Sequence, residues 1–140
     1  EGEPLRLATR IVEELAARGV EAGQAKLLLL GIAYKKDVED TRESPALELL
    51  GALEGHGVAV DYHDPFFPEL PMTRDHGVFA GRRSVALGPA VADYDAVIIA
   101  TDHTGVDYAG VASHARLIID TRNALAKAGA HIAADKLLKL

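Results

Sequence analysis

Lys35, Arg42 and Arg122 each follow closely on an apolar run, and cations so placed could hold a phosphate. Lys35 and Arg42 lie in the stretch from Ala33 to Ser44, and Arg122 lies in Thr121–Asn123. A third polar stretch, Thr101–Thr104, contains Asp102 and His103. If the three stretches share one edge of a sheet, the cations face one crevice. A charge-assisted bond to a partly buried phosphate contributes about 1.5–3 kcal/mol, against about 0–1 kcal/mol for an exposed ion pair. The competing reading, preferred for a loop taken alone, pairs these cations with Asp37, Glu39, Asp40 and Glu43 on a solvated surface. Tyr34 serves equally well as a core-edge aromatic or as a platform beside a nucleotide. Lys127 is expected to fall outside the crevice.

Other chemistries find less support. Gly31 is followed by Ile, Ala, Tyr and Lys, so the G-x-G-x-x-G fingerprint that cradles a dinucleotide pyrophosphate is absent. Asp64 ends an apolar run where dinucleotide folds often keep a ribose-binding carboxylate. Without the glycines it is read as the cap or brace of the Pro65 turn. The six histidines show no spacing that sets two imidazoles on one helix face, so no metal site is expected. Asp102 and His103 are adjacent and no Ser or Cys nucleophile stands out beside them, so they are read as a loop-bracing pair. The chain has no Cys, which removes disulfides, thiolate ligands and a cysteine nucleophile. No residue is assigned a catalytic role.

These stretches need elements to position them. Leu5, Ala8, Ile11, Val12, Leu15 and Ala16 recur at helical spacing and predict a helix reaching about Gly19. Lys26–Ile32 is a short, uniformly apolar run suited to a central strand covered on both sides. Ser44-Pro45 is a helix start, continued by Ala46, Leu49, Leu50 and Leu53 and ended by Gly55 and Gly57. Val58–His63 predicts a second strand, stopped at Asp64-Pro65 and followed by a long loop to about Arg83. Ser84–Leu87 is expected as a short strand and Pro89–Ala92 as a short helix. Ala96–Ala100 and Arg116–Asp120 predict two more strands, with a helix over Tyr108–His114 between them. Strands alternating with helices imply right-handed βαβ crossovers. The expected fold is therefore α/β: a Rossmann-like open, mostly parallel sheet with helices on both faces, preceded by an N-terminal helix. In such a sheet ligands bind beyond the carboxyl ends of the strands.

The chain has 140 residues, about half of them apolar, which suits one domain. Its formal charge of −6 opposes sequence-independent binding to nucleic acid or to an anionic membrane. The longest apolar stretch is far short of the roughly 20 residues that span a bilayer. The sequence opens on Glu1 without a recognisable leader and is read as part of a longer protein.

The run from Gly31 to Ala46, GIAYKKDVEDTRESPA, closely resembles the signature of the C-terminal domain of the UDP-glucose/GDP-mannose dehydrogenase family. Tyr62–Pro65 (YHDP), Ala100–His103 (ATDH) and Ile119–Asn123 (IDTRN) follow in that domain's order and approximate spacing. The resemblance implies a division into residues 1–20, the end of an interdomain or dimerisation helix, and residues 21–140, a UDP-sugar-binding domain. It implies an NAD-dependent enzyme that oxidises the C6 alcohol of a nucleotide-sugar to a carboxylate, with the NAD fold and the catalytic cysteine in preceding domains. This chain alone is then inactive. By motif position Tyr34, Lys35 and Arg122 match substrate contacts, and Arg42 matches a contact reaching toward NAD. The wording of the motifs is similar to the branch acting on UDP-N-acetylhexosamines (UDP-N-acetylglucosamine or UDP-N-acetylmannosamine), whose products feed surface polysaccharide. The implied partners are the UDP-sugar and the enzyme's own N-terminal and central domains, in a cytoplasmic homodimer or higher oligomer. Two readings compete with this: a stand-alone nucleotide-binding regulatory module, because a doubly wound fold does not select a function, and a purely structural oligomerisation domain.

Overall fold

The computed structural model describes residues 3–33, 44–72 and 77–140. Five strands, β1 (Lys26–Leu30), β2 (Ala59–His63), β3 (Ala96–Ile99), β4 (Ile118–Asp120) and β5 (Leu137–Lys139), form a sheet in the order β2-β1-β3-β4-β5. Every pairing is parallel. β1 is central and its Leu27, Leu28 and Leu29 are all 0% exposed, which is why its sequence shows no polar alternation. The α/β architecture with helices on both faces follows the expectation.

Side-chain alternation divides the core. Leu27, Leu29, Val60, Tyr62, Ile98 and Ile119 face one layer, built from α1 (Glu3–Ala17) and α2 (Pro45–Gly55). Leu28, Leu30, Val97, Ile99 and Ile118 face the other, which includes α3 (Tyr108–His114) and α4 (Ala124–Ala128). α1 buries Ala8, Ile11 and Leu15 in the same core as α2. Ser44 caps α2 with its Oγ accepting from the Leu47 amide at 3.2 Å, and Pro45 occupies the first turn, where a missing amide costs nothing.

The register sets the last residues of all five strands in one row, His63–Leu30–Ile99–Asp120–Lys139. The polar stretches after β1, β3 and β4 therefore leave the sheet at one edge. The segment Ser84–Leu87 departs from the expectation of a strand. Its polar groups are spent on the end of β2: the Val85 amide donates to Tyr62 O at 2.8 Å, and His63 Nδ1 bonds Val85 O at 2.7 Å. Among the described residues nearby, the one ladder element is an isolated antiparallel bridge between Glu69 and Arg83. Pro89–Asp93 forms a tight helical turn, as expected. β5 extends the sheet, and α4 adds a helix, beyond what the sequence pattern predicted.

Gly31 marks the tightest backbone approach. Its φ is 91°, and a Cβ there would lie 2.5 Å from Thr101 Cβ and 2.7 Å from Thr101 N. The loops after β1 and β3 touch because this residue has no side chain. Gly31→Ala is expected to cost about 3 kcal/mol through backbone strain and overpacking. Gly23→Ala, in open space, should stay within about 0.5 kcal/mol. Urea unfolding of both variants checks this, and equal effects would contradict it.

Candidate functional site

The carboxyl edge is organised by a buried carboxylate. Asp64, 1% exposed, directly follows β2. Its Oδ2 accepts from the amides of Ile32 at 2.7 Å and Ala33 at 3.2 Å, and Oδ1 accepts from Phe66 N at 2.8 Å. His103 Nε2 lies 2.9 Å from Oδ2 with its ring also 1% exposed. Both oxygens already accept amides, so the hydrogen in this contact sits on Nε2. The His103 ring is tilted against Phe66, with centroids 4.9 Å apart. Asp64 braces the Pro65 turn as expected, and it also joins the loops after β1, β2 and β3.

Neighbouring bonds complete the frame. Thr101 Oγ1 donates to Ala33 O at 2.9 Å, and Ser44 Oγ donates to Ile32 O at 2.6 Å. Ala33 and Ser44, both within the run that carries the sequence signature, are thus anchored at this edge. The single Tyr62 hydroxyl hydrogen is shared between Phe67 O at 2.9 Å and Arg82 O at 3.0 Å, pinning the long loop. Burial, reinforced by Asp64 and Glu69, pushes the Tyr62 phenol up to about 12, so it remains a donor throughout the neutral range. Arg82 in turn grips Glu54 of α2 through two bonds of 2.8 and 2.9 Å.

The expected Asp102–His103 pair does not form. The two side chains diverge, His103 inward to Asp64 and Asp102 to Lys127 Nζ at 2.8 Å. Each braces a loop, but with a partner far away in sequence.

On the β4 side, Asp120 is 3% exposed. Its Oδ1 accepts from Arg122 N at 2.9 Å and Ala124 N at 3.1 Å, and Oδ2 accepts from Leu125 N at 3.1 Å. The carboxylate thereby supplies the start of α4 with acceptors that Asn123, left-handed at φ 58°, does not provide. Arg122 is exposed, and its Nε donates to Ala100 O at 2.8 Å, which fixes the root of the guanidinium beside the end of β3. It lines an open depression of about 480 Å³ together with Asp102, Asp120, Asn123, Lys127 and Lys139. Lys127 thus stands in the same depression as Arg122, against the expectation that it lies elsewhere. The cause is that α4 begins at once after Asn123 and returns its first turn to this edge.

Of the residues singled out from sequence, Arg122 stands at the carboxyl edge, while Tyr34, Lys35 and Arg42 lie outside the described residues. Among the described residues no group of His, Asp and Glu is arranged to hold a metal ion. No described helix is long and apolar enough to cross a membrane.

An open parallel sheet with helices on both faces defines a doubly wound α/β domain, with bracing carboxylates and an arginine at its carboxyl edge. A profile of the UDP-glucose/GDP-mannose dehydrogenase family, UDP binding domain, matches residues 28–127, and the chain belongs to this family. It is 30% identical over 125 residues to a UDP-N-acetyl-D-mannosamine dehydrogenase of Pyrococcus horikoshii, covering 86% of this chain and 27% of that protein. It is 28% identical over 130 residues to the enzyme of the same name from Methanococcus vannielii, covering 87% of this chain and 28% of that protein. The chain thus spans under a third of these relatives. The fold matches the solved UDP-D-ManNAc dehydrogenase of Pyrococcus horikoshii with a TM-score of 0.70 at 24% identity, over 96% of this chain and 30% of that one.

Removing one partner of a buried charged contact costs about 3–5 kcal/mol, because the other groups are left unpaired. Asp64→Asn turns an amide NH₂ toward backbone donors, so it is expected to destabilise by about that much. Arg83→Ala breaks only an exposed pair with Glu69 and should cost about 0–1 kcal/mol. Denaturant melts decide, and a loss below about 1 kcal/mol for Asp64→Asn would contradict the bracing role.

Proposed function

We propose that this chain is the UDP-grasping C-terminal domain of an NAD-dependent nucleotide-sugar 6-dehydrogenase. In this reading the whole enzyme oxidises the C6 alcohol of a UDP-N-acetylhexosamine, of the N-acetylmannosamine or N-acetylglucosamine type, to the uronic acid used in surface polysaccharide. Tyr34, Lys35 and Arg122 contact the nucleotide-sugar, and Arg42 reaches toward NAD. Residues 1–20 end an interdomain helix and residues 21–140 form the UDP-sugar domain. The enzyme works in the cytoplasm as a homodimer or larger assembly, with the catalytic cysteine supplied by preceding domains. The observation that carries this reading is the shared edge. The loops after β1, β3 and β4 start from one register row, and Arg122 is rooted there on Ala100 O.

The described residues after β1 do not fit an NAD pyrophosphate cradle. In dinucleotide folds the turn after the first strand offers free amides to the pyrophosphate. Here the amides of Ile32 and Ala33 are held by Asp64 Oδ2, and the glycine fingerprint is missing. The cofactor is therefore assigned to a domain outside this chain, and no step through it is derived.

The chain's own contribution is to hold the nucleotide by charge and by fixed backbone, so that closure of another domain can complete a water-poor site. Titration calorimetry with UDP tests this. The chain should bind UDP, and Arg122→Ala should weaken binding by about 1.5–3 kcal/mol. Arg10→Ala, on the exposed side of α1, should leave binding unchanged. Absence of UDP binding, or equal effects of the two substitutions, would overturn the reading, as would reduction of NAD by this chain acting alone on a UDP-sugar.

A further inference from the structure

The depression beside Arg122 carries an imbalance of charge. Arg122, Lys127 and Lys139 line it, against Asp102 and Asp120. Asp120 is turned inward, its oxygens occupied by three backbone amides. Because it takes the amides of Ala124 and Leu125, the start of α4 has little to offer an anion, and side chains must supply the attraction. Lys139 pairs in register with Asp120. It therefore points to the α4 face, the side on which Leu137 packs and Lys127 stands. Among the described residues no carboxylate lies within ion-pair distance of Arg122 or Lys139. Within a chain of net charge −6, this is a local positive mouth.

Asp102 is the exception, held 2.8 Å from Lys127 Nζ, with side-chain exposures of 15% for the acid and 57% for the lysine. The lysine end of the pair is exposed to solvent, where a salt bridge is screened, so a polyanion can compete with Asp102 for Lys127. We propose that Lys127 and Lys139 join Arg122 in a diphosphate-binding mouth, and that Asp102 is its internal competitor, orienting Lys127 until the anion arrives. That the diphosphate belongs to a nucleotide-sugar rests on the function proposed above. The mouth itself does not.

The probe is inorganic pyrophosphate, titrated into the chain by calorimetry or NMR, with UDP in parallel. Lys127→Ala and Lys139→Ala should each weaken pyrophosphate binding about five- to tenfold. Asp102→Asn should strengthen it by about threefold, and this gain should shrink in the Lys127→Ala background. Thermal melts of the free variants identify any that are unfolded, and Lys127→Arg, which keeps the charge, should retain binding. If Asp102→Asn weakens binding, or if neither lysine matters, the mouth is misassigned. UDP binding that depends on Arg122 but on neither lysine would remove this inference and leave the nucleotide reading intact. Pyrophosphate binding that needs both lysines, without UDP binding, would do the reverse.

Discussion

A single carboxylate, Asp64, accepts four donors in a site closed to solvent: the amides of Ile32, Ala33 and Phe66 and the imidazole of His103. These donors come from the loops after β1, β2 and β3. The loops arrive at the same edge because the sheet is parallel, and they stay in one arrangement because the carboxylate must keep its partners. A buried carboxylate without them carries a desolvation cost of several kcal/mol. The same constraint explains why Gly31 carries no side chain, since the backbone there lies against Thr101.

This bracing decides what chemistry is available. Amides that satisfy Asp64 cannot cradle a pyrophosphate, and those at the start of α4 are taken by Asp120. These backbone amides are used to hold shape, and in the proposed reading side-chain cations hold the ligand. That division distinguishes this domain from a dinucleotide fold built on the same topology, where glycine-opened amides meet the phosphates directly. The chain spans under a third of the length of the relatives it matches.

Much of this was legible in the sequence, and the exceptions have physical causes. β1 was readable because a strand covered on both faces must be apolar throughout, and α2 because Ser44-Pro45 is a helix start with few other uses. Arg122 was found because it directly follows a strand. The partners of Asp64 were not. His103 lies 39 residues from it in sequence, and adjacency favoured Asp102 instead. Lys127 was misplaced because α4 has only five residues, too few to show a period. β5 escaped notice for a related reason: it has three residues at the sheet edge, two partly buried and Lys139 exposed. Tyr34, Lys35 and Arg42 lie outside the described residues, so their roles rest on the motif they match.

The proposed function places the ligand at the carboxyl edge of the sheet. Mapping amide chemical shifts by NMR during a UDP titration tests it most directly. Perturbations are expected at Gly31–Ala33, Ala100–Thr104, Thr121–Lys127 and Lys139, with α1 and the amino ends of the strands quiet. Perturbations gathered instead around α1, or around Ala25 and Ala59 at the opposite edge, would contradict it.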